Sequence, residues 1–187
     1  MNYYFDIRSL ENEIRASRMY SERFENLLSF KVNNLKELCG RLPEKGDIFF
    51  IETAKSFTAF TFIVYVLKQT GRMEHLYIAT YSTNERIINA LLRWKDKGLI
   101  NTIHLHISET LKFRMPAIFE RLTALRDNHR IELSFAWSHK KVTCMQTGSG
   151  YYVMEGSGNY GENALEEQYI FLQNKQIYEF RSRKKGR

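Results

Sequence analysis

Three groups of residues in the last third of the chain could together act on a phosphoryl group. His139 and Lys141 are two positions apart at the end of an apolar segment (IELSFAW), so on an extended backbone both side chains point to the same side. A Gly-Ser-Gly-Asn turn follows at residues 156–159, and Glu167 comes after it. An imidazole can attack phosphorus, and fixed cations and neutral donors stabilise the developing charge. This pattern predicts a phosphoryl-transfer site that requires neither a metal nor a cofactor.

Each polar residue of the set suits a separate task. Lys141 is a fixed cation on the face of His139, Asn159 offers amide donors and Ser157 offers a hydroxyl. Glu167 could accept a hydrogen bond from an imidazole N–H and hold the tautomer that attacks. Taken singly, the histidine fits a strand end and the glycine-rich segment fits a hairpin turn. The order of these residues and their strand context together favour a site.

The elements that must position these residues alternate between strands and helices. Apolar periodicity predicts strands at 48–52, 75–81, 100–107 and 131–138, and helices at 56–69, 84–97 and 116–128. Short extended runs follow at 141–146, 151–155, 167–172 and 176–180. Repeated strand–helix units require crossover connections, so we predict an α/β fold with a mixed, mainly parallel sheet sandwiched between helices. His139 then lies at the carboxyl edge of that sheet, where open α/β sheets place their sites.

The N-terminal region has a different pattern. Apolar residues recur three and four positions apart over residues 9–42, which predicts helices. We therefore divide the chain into an N-terminal helical extension (1–45), an α/β domain (46–180) and a solvated basic tail (181–187).

Composition favours a phosphate-bearing partner. The 187-residue chain has 28 Lys and Arg against 21 Asp and Glu, a formal net charge of +7. Two cysteines, Cys39 and Cys144, are too few for a disulfide framework and fit a reducing, cytoplasmic location. The first residues lack a signal-peptide pattern, and no apolar run approaches the roughly 20 residues that cross a bilayer. We expect no membrane partner.

The segment from His139 to Phe171 resembles the phospholipase D superfamily, whose signature is an HxK motif, a downstream Asp, a GSxN turn and a later acidic residue. The resemblance implies that family's α/β/α fold for the domain and chemistry without a metal. The roles that it implies are nucleophile for His139, phosphate ligands for Lys141 and Asn159, supporting donor for Ser157, and histidine-orienting acid for Glu167.

The chain departs from the family pattern at one residue, and it has a single copy of the motif. Gln146 stands where the family has its Asp, a residue generally regarded as structural. Glu166 could replace Glu167 as the late acid, and we favour Glu167 because it leads directly into an apolar strand. Only one HxK and GSxN set is present. Short members of the family complete their site across a homodimer, with one His139 attacking and the partner's His139 protonating the leaving oxygen.

The resemblance implies a metal-independent phosphodiesterase, with an endonuclease acting on DNA rather than RNA as the favoured form. Because Gln146 replaces the motif Asp, the alternative is a catalytically impaired module that binds nucleic acid or a partner protein. A lipid phosphodiesterase ranks last, since a second motif and a membrane anchor are both missing from the sequence.

Other polar and aromatic residues near the predicted strand ends have simpler explanations. His104 and His106 could share a metal, but no third ligand accompanies them at a recognisable spacing, so we favour histidines on a strand face. Residues 82–84 are predicted to cap a helix. Glu52 and Lys55 could lie near the rim of the site, although we favour a helix N-terminal turn. Lys112 and Arg114 are candidate phosphate contacts, and a solvated basic loop explains them equally well. Trp94 and Trp137 are predicted to serve packing.

Overall fold

A computed structural model of the chain describes residues 19–21, 24–29, 35–54, 58–160 and 166–183. Its strands are β1 (Met19–Ser21), β2 (Phe24–Ser29), β3 (Ile48–Ala54), β4 (Met73–Thr80), β5 (Ile100–Ser108), β6 (Glu132–Ala136), β7 (Val142–Thr147), β8 (Gly150–Gly156) and β9 (Glu166–Gln173). Its helices are α1 (Leu35–Cys39), α2 (Ala59–Thr70), α3 (Glu85–Asp96), α4 (Leu111–Arg114), α5 (Pro116–Asp127) and α6 (Lys175–Ser182). The strands form one sheet.

The sheet has the order β1-β2-β3-β9-β8-β7-β4-β5-β6. The pairs β2–β3, β4–β5 and β5–β6 are parallel, and the other five pairs are antiparallel. The predicted α/β class with a mixed sheet flanked by helices is confirmed. The antiparallel share exceeds the prediction because β7, β8 and β9 form a meander with short connections between successive strands, and this meander lies in the middle of the sheet.

The two faces of the sheet are covered unequally. One face carries the main core, in which aliphatic side chains such as Leu76, Ile78 and Leu105 pack beneath α2, α3 and α5. The opposite face has a smaller cluster around Tyr77 and Tyr178, with α6 packed on β7 and β8. Full burial of one such aliphatic side chain contributes roughly 1.5–3 kcal/mol, so the main core dominates the stability of the fold. On this second face, the part of the sheet formed by β5 and β6 is next to the Tyr77–Tyr178 cluster and is not covered by α6.

Two predicted elements are wrong. The helix predicted over residues 9–42 is contradicted by β1 and β2, because β2 pairs along its length with β3, a contact that local periodicity cannot show. Residues 9–18 and 30–34 lie outside the described residues, and α1 is a helix as predicted. The strand predicted at 176–180 is part of α6, because the Asn174 side chain accepts a hydrogen bond from Ile177 N at 3.0 Å and caps a helix there.

Part of the predicted basic tail is ordered. Arg181 lies in α6, and its Nη2 donates to Glu155 Oε2 at 2.8 Å while its Nε donates to the other carboxylate oxygen. This bidentate ion pair fastens α6 to β8. Residues 184–187 lie outside the described residues.

Neither thiol forms a disulfide, and the described helices are short. Cys39 and Cys144 are both buried and free, and burial, followed by the charge of Glu155, raises the pKa of Cys144.

In the described part of the chain, no helix has the length and apolar character needed to cross a membrane.

Buried tyrosines make the fold sensitive to alkaline pH. Burial, with a smaller electrostatic contribution from Cys144, raises the pKa of Tyr77 from 10.0 to about 12, and burial also raises the pKa of Tyr65, Tyr160 and Tyr178. A raised folded pKa contributes stability that is complete below pH 10 and is lost as the pH rises further. Tyr77 alone should lower the free energy of unfolding by about 1.4 kcal/mol per pH unit between its two pKa values.

We therefore expect cooperative unfolding above pH 10, in which the far-ultraviolet circular dichroism changes together with the last part of the tyrosinate absorbance at about 295 nm, the part that belongs to the buried tyrosines. Independent titration of all the tyrosines near pH 10, with the circular dichroism unchanged, would contradict this expectation.

Candidate active site

His139 and Lys141 lie together in the loop between β6 and β7. Lys141 Nζ is 3.1 Å from His139 Nδ1 and 3.4 Å from the His139 carbonyl oxygen. The His139 side chain is exposed and Lys141 is half-buried. The two side chains are adjacent as predicted, although they belong to a loop because β6 ends at Ala136. A single phosphate group could therefore contact both the imidazole and the ammonium.

The Tyr81 ring contacts the His139 ring. Tyr81 directly follows β4, and its ring centroid is 4.7 Å from that of His139 at an interplanar angle of 53°. The Arg114 guanidinium lies 4.3 Å from the Tyr81 ring centroid. A hydrogen bond from Thr110, with a smaller effect of the Arg114 charge, lowers the pKa of Tyr81. Sequence reasoning missed Tyr81, and the available signal was its position at the end of the strand predicted at 75–81.

The glycine-rich turn is attached to the same loop. Gly156 N donates to the Lys141 carbonyl oxygen at 3.2 Å, and Ser157 N donates to the Gln168 carbonyl oxygen at 3.0 Å. These bonds place the start of the turn between Lys141 and β9. The two motif segments, separated by fifteen residues from Lys141 to Gly156, are therefore brought together by backbone contacts.

Glu167 orients Ser157. Ser157 Oγ donates to Glu167 Oε2 and accepts a hydrogen bond from Gln168 N at 3.0 Å. The prediction gave Glu167 the task of orienting a histidine, but its carboxylate is engaged with the serine hydroxyl in this chain. Glu166 and Glu52 line a hollow of about 300 Å³ beside the same serine. Glu52 belongs to β3, so the predicted explanation by a helix N-terminal turn is wrong for it, and Lys55 lies outside the described residues.

Asn159 presents a polar atom without a partner. Its Oδ1 is buried and has no hydrogen-bond partner among the described residues. The next residue, Tyr160, is 1% exposed and its hydroxyl bonds with Thr143 Oγ1 on β7, which anchors this end of the turn. An unpartnered buried acceptor costs roughly 1–3 kcal/mol, so a group that donated a hydrogen bond to Oδ1 would recover part of that cost. A phosphoryl oxygen accepts hydrogen bonds and would bond to the amide Nδ2 of Asn159 instead.

Gly156 is required by close packing in the turn. A Cβ atom there would overlap the Gln168 carbonyl oxygen and the Tyr169 ring, whereas a Cβ at Gly148 would have no neighbour within 4 Å. We expect Gly156→Ala to destabilise the protein by about 1–3 kcal/mol, as overpacking of a close-packed position does. The matched control Gly148→Ala should stay within about 0.5 kcal/mol of the parent. Thermal unfolding measures both, and equal midpoints for the two variants would contradict the close approach.

Gln146 lies away from the loop that holds His139. It is in β7, paired with His75 of β4 and Tyr151 of β8. Five residues of strand separate it from Lys141, a distance of about 17 Å at the usual rise of a β-strand. Gln146 therefore lies outside the loop that holds His139 and Lys141.

The remaining candidates have the following places. Asn84 caps α3 by accepting from Ile87 N at 3.0 Å, as predicted, and Trp94 stacks on Phe60 with ring centroids 5.2 Å apart. Trp137 is 75% exposed, so its assignment to packing is wrong: its side chain is in the loop that follows β6. Lys112 is exposed in α4. Among the described residues, no three His, Cys, Asp or Glu side chains are grouped to hold a metal ion.

Comparison with known proteins identifies the architecture. No protein-family model matches the chain, and no curated protein matches it. Among solved structures, a polyphosphate kinase from Porphyromonas gingivalis aligns with a TM-score of 0.51 and 13% identity, over 75% of this chain and 27% of that one. This likeness establishes the fold.

Two further solved structures align less closely. A phosphatidylserine synthase from Haemophilus influenzae has a TM-score of 0.47 and 9% identity, over 72% of this chain and 36% of that one. The archaeal chromatin protein TrmBL2 has a TM-score of 0.44 and 8% identity, over 71% and 48% of the two chains. The chain thus aligns with a quarter to a half of the length of these proteins.

Proposed function

We propose that the protein is a metal-independent phosphodiesterase whose substrate is nucleic acid, DNA rather than RNA. The observation that carries the proposal is the 3.1 Å contact between Lys141 Nζ and Nδ1 of the exposed His139. The Gly156 hydrogen bond to Lys141 adds the GSGN turn to this pair. The architecture shared with a polyphosphate kinase supports phosphoryl transfer as the class of chemistry.

The reaction has two steps. A nitrogen of His139 attacks phosphorus, the bond from phosphorus to the leaving oxygen breaks, and a phosphohistidine forms. Water then attacks phosphorus and releases His139 with the phosphate monoester product. Lys141 and the Asn159 amide stabilise the charge on the phosphoryl oxygens in both steps, which is the task that fixed donors perform best in a preorganised site.

The leaving oxygen requires a proton, and we propose that a second copy of the chain supplies it. His139 is exposed at the edge of the sheet and the chain has one HxK and GSxN set. In a two-fold homodimer, the partner's His139 would protonate the leaving oxygen while the first His139 attacks. Glu167 is engaged with Ser157 within its own chain, so in this arrangement it stabilises the turn.

Mixed dimers test the shared site. Because each site needs two His139 side chains, wild-type chains mixed with excess His139→Ala chains should lose activity as the fraction of wild-type homodimers falls. Activity that follows the amount of wild-type chain linearly would contradict a shared site. The wild-type chain mixed with excess Gly148→Ala chain, which keeps the site, is the matched control.

Purified protein with labelled DNA and RNA in excess EDTA tests the activity itself. Cleavage of a phosphodiester under these conditions supports the proposal, and the absence of cleavage of every substrate across pH 5–9 would overturn it.

The second candidate function is a binding module that has lost turnover. It is supported by the engagement of Glu167 with Ser157 rather than with a histidine. This candidate predicts salt-dependent DNA binding that His139→Ala leaves unchanged, without any covalent adduct.

A further inference from the structure

A groove of about 920 Å³ lies next to the candidate site, on the sheet face that also carries α6. The register places His104 beside Tyr77, and His106 beside both Ala79 and Ser134, so these side chains share the face of the Tyr77–Tyr178 cluster. The groove runs along β6, the last strand in the sheet order. At the carboxyl end of β6, the groove reaches the loop that holds His139.

The floor of the groove is polar, and it includes Glu132, which the register places beside His104. Ser134 Oγ is 2.9 Å from His104 Nε2 and 2.9 Å from His106 Nδ1, so one hydroxyl bridges both rings. The Tyr77 ring packs edge-on against His104 with centroids 5.0 Å apart. This floor of rings and a hydroxyl suits a ligand with flat, weakly polar groups.

The walls add an exposed indole and cations. Trp137 is 75% exposed, and Lys140 follows it in the same loop. Arg183, which comes directly after α6, lies on the groove as well, with its guanidinium 5.7 Å from the Phe180 ring centroid. The carboxylate of Asp127, at the far end, is 3.0 Å from the Arg126 guanidinium. The end of the groove nearest His139 therefore combines a flat apolar surface with positive charge.

We propose that this groove binds a single-stranded segment of nucleic acid, with a base stacked on Trp137 and backbone phosphates on Lys140 and Arg183. An aromatic ring beside cations is how proteins hold unpaired strands, because every base has a face for stacking. A duplex keeps those faces inside its own stack, so an exposed indole favours an unpaired strand. β6 is five residues long, about 17 Å, which gives room for more than one nucleotide.

This inference rests on the proposed function for one point only, that the strand continues to a phosphate at His139, two residues from Trp137. It goes further in naming the form of the substrate. Cleavage should then favour single-stranded DNA, or duplexes with an unpaired end, over a blunt duplex.

The chain allows a direct optical test. It has two tryptophans, and Trp94 is the one stacked on Phe60, so Trp94→Phe leaves Trp137 as the single reporter. We expect a short oligothymidylate to quench its fluorescence saturably, less so at high salt, and a blunt duplex of equal length to quench it much less. No quenching by the single strand, or equal quenching by the duplex, would overturn the inference.

Binding of an end-labelled oligothymidylate, measured by fluorescence anisotropy in the otherwise wild-type background, gives the second readout. Trp137→Ala should weaken binding roughly 5- to 100-fold, the loss expected for one stacked base. Lys140→Gln should weaken binding and reduce its salt dependence. Lys68→Gln is the matched control, because Lys68 is exposed on α2, across the sheet from the groove. Equal effects of Lys68→Gln and Lys140→Gln would contradict the groove.

The two proposals fail separately. Quenching and anisotropy measured with His139→Ala in place should be unchanged, so binding without any cleavage overturns the phosphodiesterase and leaves the groove. Cleavage in EDTA without a change in Trp137 fluorescence would overturn strand binding in the groove, and the phosphodiesterase proposal would stand. A dimer, identified by sedimentation, in which Trp137 no longer responds to oligothymidylate would assign the groove to contact between copies of the chain and overturn strand binding.

Discussion

Replacing His139 with alanine is expected to lower the rate of phosphodiester cleavage by at least about 1,000-fold, the scale seen when a covalent nucleophile is removed. The side chain is exposed and its described ring contact is with Tyr81, so the fold should persist. Initial rates on labelled DNA in EDTA, with thermal unfolding as the control for folding, measure the effect. DNA binding should stay within a few-fold of the wild type.

A His139→Ala variant that cleaves within tenfold of the wild-type rate would remove the imidazole from the mechanism. If instead neither the wild type nor His139→Ala cleaved any substrate, and both bound DNA with equal affinity, the binding-module alternative would be favoured.

Replacing Lys141 with glutamine is expected to lower the cleavage rate by about 100- to 1,000-fold, as the loss of one preorganised donor to the reacting group does. Lys141 Nζ is 3.1 Å from His139 Nδ1, so the ammonium is within reach of any phosphate that the imidazole attacks. The loss should appear in kcat more than in KM, because the charge that Lys141 stabilises is largest in the transition state. Steady-state kinetics on a defined oligonucleotide separate the two constants.

The control for Lys141→Gln is Lys68→Gln, which removes an equal charge from α2. We expect Lys68→Gln to leave kcat unchanged and to alter KM by less than about twofold, because an exposed charge at a distance is largely screened by salt. A matching loss in both variants would show that the net charge of the protein, rather than its position, determines the rate.

The sequence predicted those helices and strands of the α/β domain whose apolar residues repeat at a clear helical or strand spacing. Residues 59–70 and 85–96 repeat apolar positions at helical spacing and end before Gly71 and Gly98, and the structure has α2 and α3 there. The run 176–180 is too short to distinguish helix from strand, and the Asn174 cap decides in favour of a helix. β2 depends on pairing with β3, twenty-four residues later in the chain, which periodicity does not contain.

The sequence indicated that His139, Lys141 and the GSGN turn come close together, but it did not indicate the other contacts of these residues. The motif brought His139, Lys141 and the GSGN turn to notice, and the structure joins them through Lys141. Tyr81 was missed because its contact with His139 joins two loops 58 residues apart. The Glu167 contact could not be read from spacing, since Ser157 and an imidazole compete for the same carboxylate and the choice depends on three-dimensional position.

Detection of a phosphohistidine tests the central claim most directly. Wild-type protein would be mixed with a labelled oligonucleotide in EDTA, stopped within the first turnover by denaturant at alkaline pH, digested and analysed by mass spectrometry, since phosphohistidine is lost in acid. The account predicts a nucleotide adduct on the peptide containing His139 that disappears with time, and no adduct with His139→Ala. Cleavage by the wild type without any adduct, or with the adduct on another residue, would contradict it.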